Sequence, residues 1–242
     1  MKGTPRIRIF AGPNGSGKST IKTLIDSKLF GIYINPDEIE KAIKEIGYLD
    51  FKLFRISTNA YEVIEYFSNS TLLIKLGLTS ETLSLKFSRN KLYFPKASIN
   101  SYYASVAADF IRQQLLKGKE SFTFETVMSS MDKIDFLSKA QSLGYRTYLY
   151  YVATDDPLIN LSRVKQRVQN GGHNVPEDKI ISRYHRSLDL LFEAIRYSNR
   201  AFIFDNSGNQ QLFLAEIINA QNVQIMSEFQ PYWFKKYVLD KF

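Results

Sequence analysis

The chain has 242 residues, of which 44% are apolar, and a formal net charge of +8 at pH 7. This length and apolar content are enough for a complete hydrophobic core, and we expect one α/β domain that spans residues 1–242 and contains an insertion. Cysteine is absent, which excludes disulfides, thiolate metal sites and a cysteine nucleophile. The basic balance favours acidic partners, among them nucleotides, nucleotide sugars and nucleic acid.

The N-terminus lacks the apolar core of a secretion signal, and no stretch approaches the roughly 20 apolar residues of a membrane-spanning helix. We therefore expect a cytoplasmic protein without a membrane partner. Lysine and arginine are scattered along the chain, so a basic tail of the kind that binds nucleic acid is absent.

The first predicted strand, Ile7–Ala11, leads directly into a glycine-rich loop. The loop matches the phosphate-binding pattern of glycine, four residues, glycine, lysine and a hydroxyl residue. A segment with helical spacing, Thr20–Ile25, follows it, so the loop has the strand-loop-helix context that this pattern requires. The nucleotide-binding residues predicted on this basis are Gly12, Pro13, Asn14, Gly15, Ser16, Gly17, Lys18, Ser19 and Thr20.

The chemistry of this loop suits a nucleotide. Its glycines allow backbone N–H groups to converge on an anion. Lys18 is predicted to reach the β- and γ-phosphates, and the Ser19 hydroxyl to bind the Mg²⁺ ion that bridges them. We therefore predict ATP or GTP and Mg²⁺ as ligands, and no base-reading motif separates the two nucleotides. The alternative is a glycine-rich turn that only joins a strand to a helix.

Asp37 lies at the carboxyl end of a second predicted strand, Ile32–Ile34, and just before a helix predicted over Ile39–Ile46. In open α/β sheets, ligands bind at this edge, which also carries the phosphate loop. Asp37 is therefore a candidate general base for an attacking hydroxyl, or a residue that caps the following helix.

Residues 47–98 interrupt the alternation of strands and helices. Two of their segments, Tyr61–Phe67 and Thr71–Leu78, contain many aromatic and leucine residues. The region is too apolar to be a solvated linker. We predict an ordered insertion that is largely helical.

Three further strands alternate with helices in the second half of the chain. They are predicted at Ser121–Thr126, Arg146–Ala153 and Arg200–Asp205. Five strands that alternate with helices indicate a mostly parallel five-stranded sheet with helices on both faces. The last residues predict a hairpin, Leu212–Ile218 with Val223–Met226, and then a short helix around Trp233.

Glu125 and Thr126 end the third predicted strand, at the sheet edge that carries the phosphate loop. Both are candidates for hydrogen bonds to a polar substrate or for the outer shell of the magnesium ion. The alternative is that they face solvent at a strand end.

Two predicted helices between about residues 160 and 187 carry arginines and are joined by a glycine hinge. The arginines are Arg163 and Arg167 on the first helix and Arg183 and Arg186 on the second. Arginine offers a fixed fork of donors that suits phosphate, so we predict a lid that closes over the transferring phosphoryl group. The alternative is that these are solvated side chains paired with surface carboxylates. We expect His173 to form a hydrogen bond in the hinge rather than to act in catalysis.

Together these motifs resemble the zeta-toxin-like P-loop kinases, in particular the bacterial branch labelled predicted ABC-type ATPases. The segments that carry the resemblance are Ala11–Thr20, Asn35–Glu38, Phe124–Thr126, Arg163–Arg167, Gly171–Pro176, Arg183-Tyr184 and Asp205–Gly208. The resemblance implies a P-loop NTPase fold and an ATP- or GTP-dependent kinase. Characterised zeta toxins phosphorylate a sugar hydroxyl of UDP-N-acetylglucosamine, so the resemblance points to a UDP-sugar as acceptor and to an antitoxin protein as partner.

The resemblance also implies a role for each matched position. Lys18 matches the phosphate-loop lysine and Asp37 the catalytic base. The substrate-binding residues are matched by Glu125 and Thr126, and the phosphate-clamping arginines by Arg167 and Arg183, with Arg163 and Arg186 one helical turn away. The insertion is longer than the resemblance leads us to expect, and this leaves the acceptor open.

Two other functions are compatible with the sequence. The basic balance and the aromatic-rich insertion are compatible with a kinase that acts on nucleic-acid ends, because aromatic and basic side chains form single-strand platforms. The second function is that of a nucleotide-gated interaction module without catalysis. This hypothesis predicts an exposed apolar patch on the insertion.

Overall fold

The structure is a computed structural model, and it describes residues 3–94, 99–172 and 174–242. Contacts within the chain divide it into two compact units. The first unit contains the residues up to Gly31 together with Thr123–Phe242, and the second contains Ile32–Phe122. His173 and residues 95–98 of the predicted insertion lie outside the described residues.

Strands and helices alternate through most of the chain. The strands are β1 (Arg6–Ala11), β2 (Ile32–Ile34), β3 (Tyr48–Asp50), β4 (Lys86–Ser88), β5 (Lys91–Tyr93), β6 (Phe122–Thr126), β7 (Arg146–Ala153), β8 (Arg200–Asp205), β9 (Leu212–Ile218) and β10 (Asn222–Ile225). The α-helices are α1 (Lys18–Lys22), α2 (Pro36–Ile46), α3 (Ala60–Ser68), α4 (Thr71–Lys75), α5 (Thr79–Thr82), α6 (Ser101–Lys117), α7 (Asp132–Ser142), α8 (Pro157–Gln169), α9 (Glu177–Asp189), α10 (Leu191–Arg196) and α11 (Tyr232–Tyr237). The predicted α/β class is confirmed.

The phosphate loop follows β1, an interior strand in the sheet of the first unit. The strands of this sheet lie in the order β10-β9-β8-β7-β1-β6. β1 runs parallel to β7, and β7 runs parallel to β8. Five of the six residues of β1 are buried, as expected for a central strand that is covered on both faces. The loop that follows β1 therefore begins from a rigid support.

The C-terminal hairpin extends this sheet, which the sequence did not predict. β9 pairs antiparallel with β8, and β10 pairs antiparallel with β9. The connection between β8 and β9 is short, so β9 returns beside β8 and continues the ladder. The predicted helix at Trp233 is present as α11, and its indole is buried.

The second unit combines helices with a small antiparallel sheet in the order β3-β5-β4. The predicted helices of the insertion are present as α3, α4 and α5. The sheet is a correction to the largely helical prediction, and its strands of three residues each are too short to show alternation. The turn between β4 and β5 contains Arg89 with φ 51° and Asn90 with φ 64°. This is the left-handed pair of a tight hairpin turn, formed here without the usual glycine.

Aromatic side chains form the core of the second unit. Phe51, Phe67 and Phe110 are fully buried, and the ring centroids of Phe51 and Phe110 are 5.4 Å apart. The hydroxyl of Tyr103 on α6 donates to the carbonyl of Leu78 at 2.8 Å. Burial raises the pKa of Tyr103 to about 12, so the hydroxyl stays protonated and remains a donor. These aromatic residues of the insertion and of α6 therefore pack the second unit rather than face solvent.

Within the part of the chain that the structure describes, no helix combines the length and the apolarity needed to cross a membrane.

Candidate functional site

The side chain of Lys18 forms hydrogen bonds to the backbone of the phosphate loop. The Nζ atom of Lys18 donates to the carbonyls of Gly12 at 2.8 Å and Pro13 at 2.9 Å. Among the described residues, no acceptor receives the backbone N–H groups of Gly15 and Gly17. These groups and the lysine ammonium are the donors that a phosphate group requires. The helix that follows, α1, begins at Lys18, before the predicted segment Thr20–Ile25, and ends at Lys22.

Two side-chain amides hold the outside of the loop. The Nδ2 atom of Asn160, at the start of α8, donates to the carbonyl of Asn14 at 2.6 Å. The Nδ2 atom of Asn206, just after β8, donates to the carbonyl of Ser16 at 2.8 Å. The side chain of Ser16 is fully buried and its Oγ has no hydrogen-bond partner among the described residues. The loop is therefore supported from two different elements of the first unit.

Glycine is required where the loop meets these supports. A Cβ atom on Gly15 would lie 2.6 Å from the backbone carbonyl oxygen of Asn160, and one on Gly17 would lie 2.2 Å from Nδ2 of Asn206. Both glycines also have positive φ angles, 75° and 99°. The pattern of glycines in the sequence thus follows from close contact with neighbouring elements as well as from backbone conformation.

The turn after β8 is fixed by a buried carboxylate. Asp205 Oδ1 accepts from the backbone N–H of Ser207 at 2.9 Å, and Oδ2 accepts from the Ser207 hydroxyl at 2.8 Å. Oδ2 also accepts from the indole N–H of Trp233 at 2.9 Å. The Ser207 hydroxyl in turn accepts from the backbone N–H of Asp155 at 2.8 Å. Asn206 therefore extends its side chain from a rigid turn.

Arg163 braces this turn. Its Nη1 atom donates to the carbonyl of Asn206 at 2.7 Å, and its Nη2 atom lies 3.4 Å from the carbonyl of Gly208. The guanidinium thus binds backbone acceptors in the structure. The role of Arg163 as a phosphate clamp remains a prediction.

The other candidate arginines lie farther along the two helices of the predicted lid. Arg167 is exposed on α8, and Arg186 is exposed on α9, where its Nε atom lies 3.3 Å from the carbonyl of Ser182. Arg183 is half-buried and makes no hydrogen bond or ion pair with any described residue. Of these three, Arg183 has the guanidinium that is least engaged by the protein and best protected from solvent.

The two helices pack on each other through Val164 and Ile180, together with Val175 of the connection between them. Lys165 and Glu177 form an ion pair across them at 2.7 Å. The glycine at position 172 is required, because a Cβ there would lie 2.7 Å from Cγ of Arg167. The connection between the helices is therefore closely packed against α8.

The inner face of α9 is attached to the end of β7. The hydroxyl of Tyr184 donates to the carbonyl of Thr154 at 2.6 Å, and the hydroxyls of Tyr151 and Ser187 lie 2.9 Å apart. Burial raises the pKa of both tyrosines, and so both hydroxyls stay protonated. These hydrogen bonds therefore attach α9, the second helix of the predicted lid, to the sheet of the first unit.

Glu125 and Thr126 end β6 in half-buried positions. The Oγ1 atom of Thr126 accepts from the backbone N–H of Met128 at 3.0 Å. Met128 has a positive φ of 54° and is buried. The Thr126 hydroxyl thus shapes the turn after β6, and its substrate-binding role remains a prediction.

Asp37 lies in the second unit and is exposed in the first turn of α2. The helix is capped by Asn35, whose Oδ1 accepts from the backbone N–H of Asp37 at 2.9 Å. The expectation that Asp37 itself caps the helix is therefore wrong, because Asn35 already occupies that position. No described residue forms a hydrogen bond or ion pair with the Asp37 carboxylate. It is available to a ligand.

The family model described as Zeta toxin matches residues 97–217, which is half of the chain. The chain belongs to the Zeta toxin family. The match covers β6, the two arginine-bearing helices and the turn after β8, but not the phosphate loop. Family membership supports a nucleotide-dependent kinase, as the sequence predicted.

The family fold is shared with solved structures. The chain resembles the crystal structure of AvrRxo1-ORF1:AvrRxo1-ORF2 with sulphate ions, with a TM-score of 0.53, 15% identity, and coverage of 92% of this chain and 61% of that one. The structure of the same pair with ATP has a TM-score of 0.53, 14% identity, and coverage of 92% and 60%. These similarities show the fold.

A sequence relative is an uncharacterised protein of Haemophilus influenzae, 33% identical over 69 residues. These residues are 28% of this chain and 49% of the relative. The alignment therefore spans about half the length of the curated relative.

Sequence analysis of this Zeta toxin family member did not identify Asn160 and Asn206 as site residues. Asn160 is fully buried on the same side of α8 as Val164, four residues later. A polar residue at an apolar position of a helix was the available signal, because a buried amide must be hydrogen-bonded. Asn206 follows the buried Asp205 in a turn sequence, and this gives no indication that its amide reaches the phosphate loop.

We expect Gly15→Ala to damage the phosphate loop far more than its backbone conformation alone would require. Gly144 is a matched control, since its φ is 83° and no atom lies within 4 Å of a Cβ placed there. Left-handed strain costs about 1–2 kcal/mol in either variant. Contact with Asn160 adds about 1–3 kcal/mol in Gly15→Ala only. Thermal unfolding and ADP titration measure both effects; equal ADP affinity in the two variants would contradict this explanation.

Proposed function

We propose that this Zeta toxin family member transfers the γ-phosphoryl group of ATP or GTP to a hydroxyl of a small acceptor. One observation carries the proposal: the loop of residues 12–19 contains Lys18, whose ammonium group contacts the loop backbone, and glycine N–H groups that have no acceptor among the described residues. Family membership supports the same conclusion. The AvrRxo1 pair, which has the same fold, was solved with ATP, and this adds further support.

The residues of the loop fit a nucleotide with magnesium. Lys18 contacts the backbone of the loop, and the exposed Ser19 is the second residue of α1. Ser19 is the hydroxyl residue of the motif and would bind the magnesium ion together with the phosphates. When bound, Mg²⁺ neutralises charge on the β- and γ-phosphates. Lys18 would exchange its carbonyl acceptors for phosphate oxygens.

The acceptor side of the proposal depends on carboxylates. The exposed Asp37 would accept the proton of the attacking hydroxyl, while Glu125 and Thr126 would bind the acceptor. The family resemblance supports UDP-N-acetylglucosamine as the first acceptor to test. The free carboxylate of Asp37, in a helix turn ordered by the Asn35 cap, supports its assignment as base.

The decisive experiment is mass spectrometry of a reaction that contains the protein, Mg²⁺, UDP-N-acetylglucosamine and either ATP or GTP. A product heavier by one phosphoryl group supports the kinase and identifies the acceptor. Nucleotide consumption without that product would show that UDP-N-acetylglucosamine is not the acceptor, and other compounds with hydroxyl groups would then be tested. If no nucleotide is bound or consumed, the proposal is wrong.

Among the lid arginines, Arg183 is expected to contribute most to phosphoryl transfer. It is half-buried and has no partner among the described residues, so its guanidinium is available to meet developing charge. We expect Arg183→Met to lower the transfer rate about tenfold to a hundredfold, the usual size of a charged hydrogen bond. Arg186→Met, one turn along α9, is the control. Similar rates for the two variants in the mass-spectrometric assay would remove Arg183 from the mechanism.

The burial of aromatic side chains in the second unit weakens the nucleic-acid alternative, although Tyr61 is 73% exposed. Phe51, Phe67 and Phe110 of the second unit are fully buried, whereas a base-stacking platform requires exposed rings. Binding of short oligonucleotides that weakens with added salt would restore this alternative.

A protein partner is also part of the proposal, as in toxin-antitoxin pairs. The insertion exposes large apolar side chains, including Leu83 at 84%, Leu53 at 75% and Tyr61 at 73%. Exposed apolar side chains support association when they are contiguous. Structures with the same fold contain AvrRxo1-ORF1 together with AvrRxo1-ORF2. Co-expression with the products of adjacent reading frames, followed by size-exclusion chromatography, tests the partner; a chain that elutes alone in every case would contradict it.

A further inference from the structure

Two side-chain amides contact the phosphate loop at carbonyls that precede glycines. Asn160 donates to the carbonyl of Asn14, which shares a peptide unit with the N–H of Gly15. Asn206 donates to the carbonyl of Ser16, which shares a peptide unit with the N–H of Gly17. The contacts come from separate elements, one from α8 and one from the turn after β8.

Each of these contacts fixes the direction of a backbone N–H as well as that of the carbonyl, because the peptide unit is planar. In a trans peptide the C=O and N–H groups of one unit point in opposite directions. An amide that fixes the direction of the carbonyl therefore also fixes the direction of the attached N–H. The N–H groups of Gly15 and Gly17 are among those of the loop that have no acceptor in the described part of the chain.

We propose that Asn160 and Asn206 are positioning residues that orient the Gly15 and Gly17 N–H groups towards the phosphates of a bound nucleotide. They act through the peptide units and do not touch the ligand. This inference rests on the proposed function, because it assumes that a nucleotide occupies the loop. It adds two residues to the site.

The support for Asn206 is rigid, which a positioning residue requires. Its backbone N–H donates to the carbonyl of Ala153 at 2.9 Å, and its carbonyl accepts from Arg163. Its predecessor Asp205 is held by Trp233 and Ser207. Asn160 is equally fixed, since it is fully buried and its Oδ1 accepts from the hydroxyl of Thr154.

Arg163 has a place in this arrangement. It lies three residues after Asn160 on α8 and reaches the carbonyl of Asn206. Helix α8 therefore carries Asn160 and also contacts Asn206 through Arg163. The position of α8, the first helix of the predicted lid, is thereby linked to the direction of the loop N–H groups.

Binding of ADP and adenosine to the full chain separates positioning from a general loss of structure. Asn206→Leu keeps the approximate shape of the side chain but removes the hydrogen-bond donor, and Asn206→Ala removes both. We expect either variant to bind ADP about tenfold more weakly, the effect of one lost hydrogen bond. Adenosine lacks phosphates, so its affinity should stay the same. Isothermal calorimetry measures both ligands.

Asn199 provides the matched control. It lies at the opposite end of β8, where its Oδ1 accepts from the backbone N–H of Thr147 at 2.9 Å. Asn199→Ala should lower the melting temperature and leave ADP affinity unchanged. The emission of Trp233, the single tryptophan, should be the same in the wild type and in both Asn206 variants if the turn is intact, because its indole binds the adjacent Asp205.

The outcomes distinguish this inference from the proposed function. Wild-type protein that binds ADP no better than adenosine would overturn both. Wild-type protein that prefers ADP, with unchanged ADP affinity in Asn206→Leu, would overturn the positioning role alone. A parallel loss of ADP and adenosine affinity, or changed Trp233 emission, would show that Asn206 only stabilises the fold and would also overturn the positioning role.

Discussion

Lys18→Ala is expected to lower the rate of phosphoryl transfer by about 10²–10³-fold, the usual cost of removing one preorganised donor from a site of developing charge. In the structure the lysine ammonium is held by the carbonyls of Gly12 and Pro13. The ammonium group therefore already lies against the loop backbone, and a bound phosphate would replace these carbonyl acceptors. The rate of product formation in the mass-spectrometric assay measures the effect.

The control for this variant is Lys22→Ala, since Lys22 lies one turn along the same short helix α1. It tests whether the loss of any positive charge near the loop is sufficient. ADP titration should show weaker binding in Lys18→Ala and wild-type binding in Lys22→Ala. A transfer rate in Lys18→Ala within about threefold of the wild type would place the reaction elsewhere, because a donor to the phosphates contributes far more than that.

The sequence predicted the framework of the fold because its signals were local. The apolar run before the loop, the residues of β7 and the residues of β8 each have strong strand preference. The structure has strands at these places. Where signals were weak, prediction failed. The three short strands of the second unit show no alternation, and their hairpin turn uses Arg89, a residue with no preference for positive φ.

The candidate site was predictable to the extent that it is a motif. The glycines and Lys18 are recognisable because phosphate binding requires those residue types at that spacing. Contacts between distant parts of the chain leave no such pattern. The bond from Asn206 to Ser16 joins residues 190 positions apart, and that from Asn160 to Asn14 joins residues 146 apart. No local property of a single sequence reports them.

Arg163 illustrates a related difficulty. The sequence placed it on a face shared with Arg167, and periodicity alone could not separate a phosphate clamp from a structural brace. The structure shows its guanidinium on the carbonyl of Asn206. Arginine has several donors, so the same side chain is suited to a phosphate and to a turn rich in exposed carbonyls. Only the partner distinguishes the two roles.

Asp37→Asn is expected to reduce acceptor phosphorylation by about 10²–10⁴-fold, the range for loss of a general base. The substitution keeps the size of the side chain, and the helix keeps its start because Asn35 supplies the cap. The melting temperature should therefore change little. Nucleotide affinity should also stay the same, because the base acts on the acceptor hydroxyl and not on the nucleotide.

Glu38→Gln is the matched control for this variant, since Glu38 is the next residue in the same helix turn and is also exposed. It removes the same charge from almost the same place. If Asp37 acts as the base, only Asp37→Asn loses product formation. Equal losses in the two variants would indicate that the acidic first turn of α2 contributes through its overall charge. An Asp37→Asn variant with normal product formation would show that another group takes the proton of the acceptor hydroxyl.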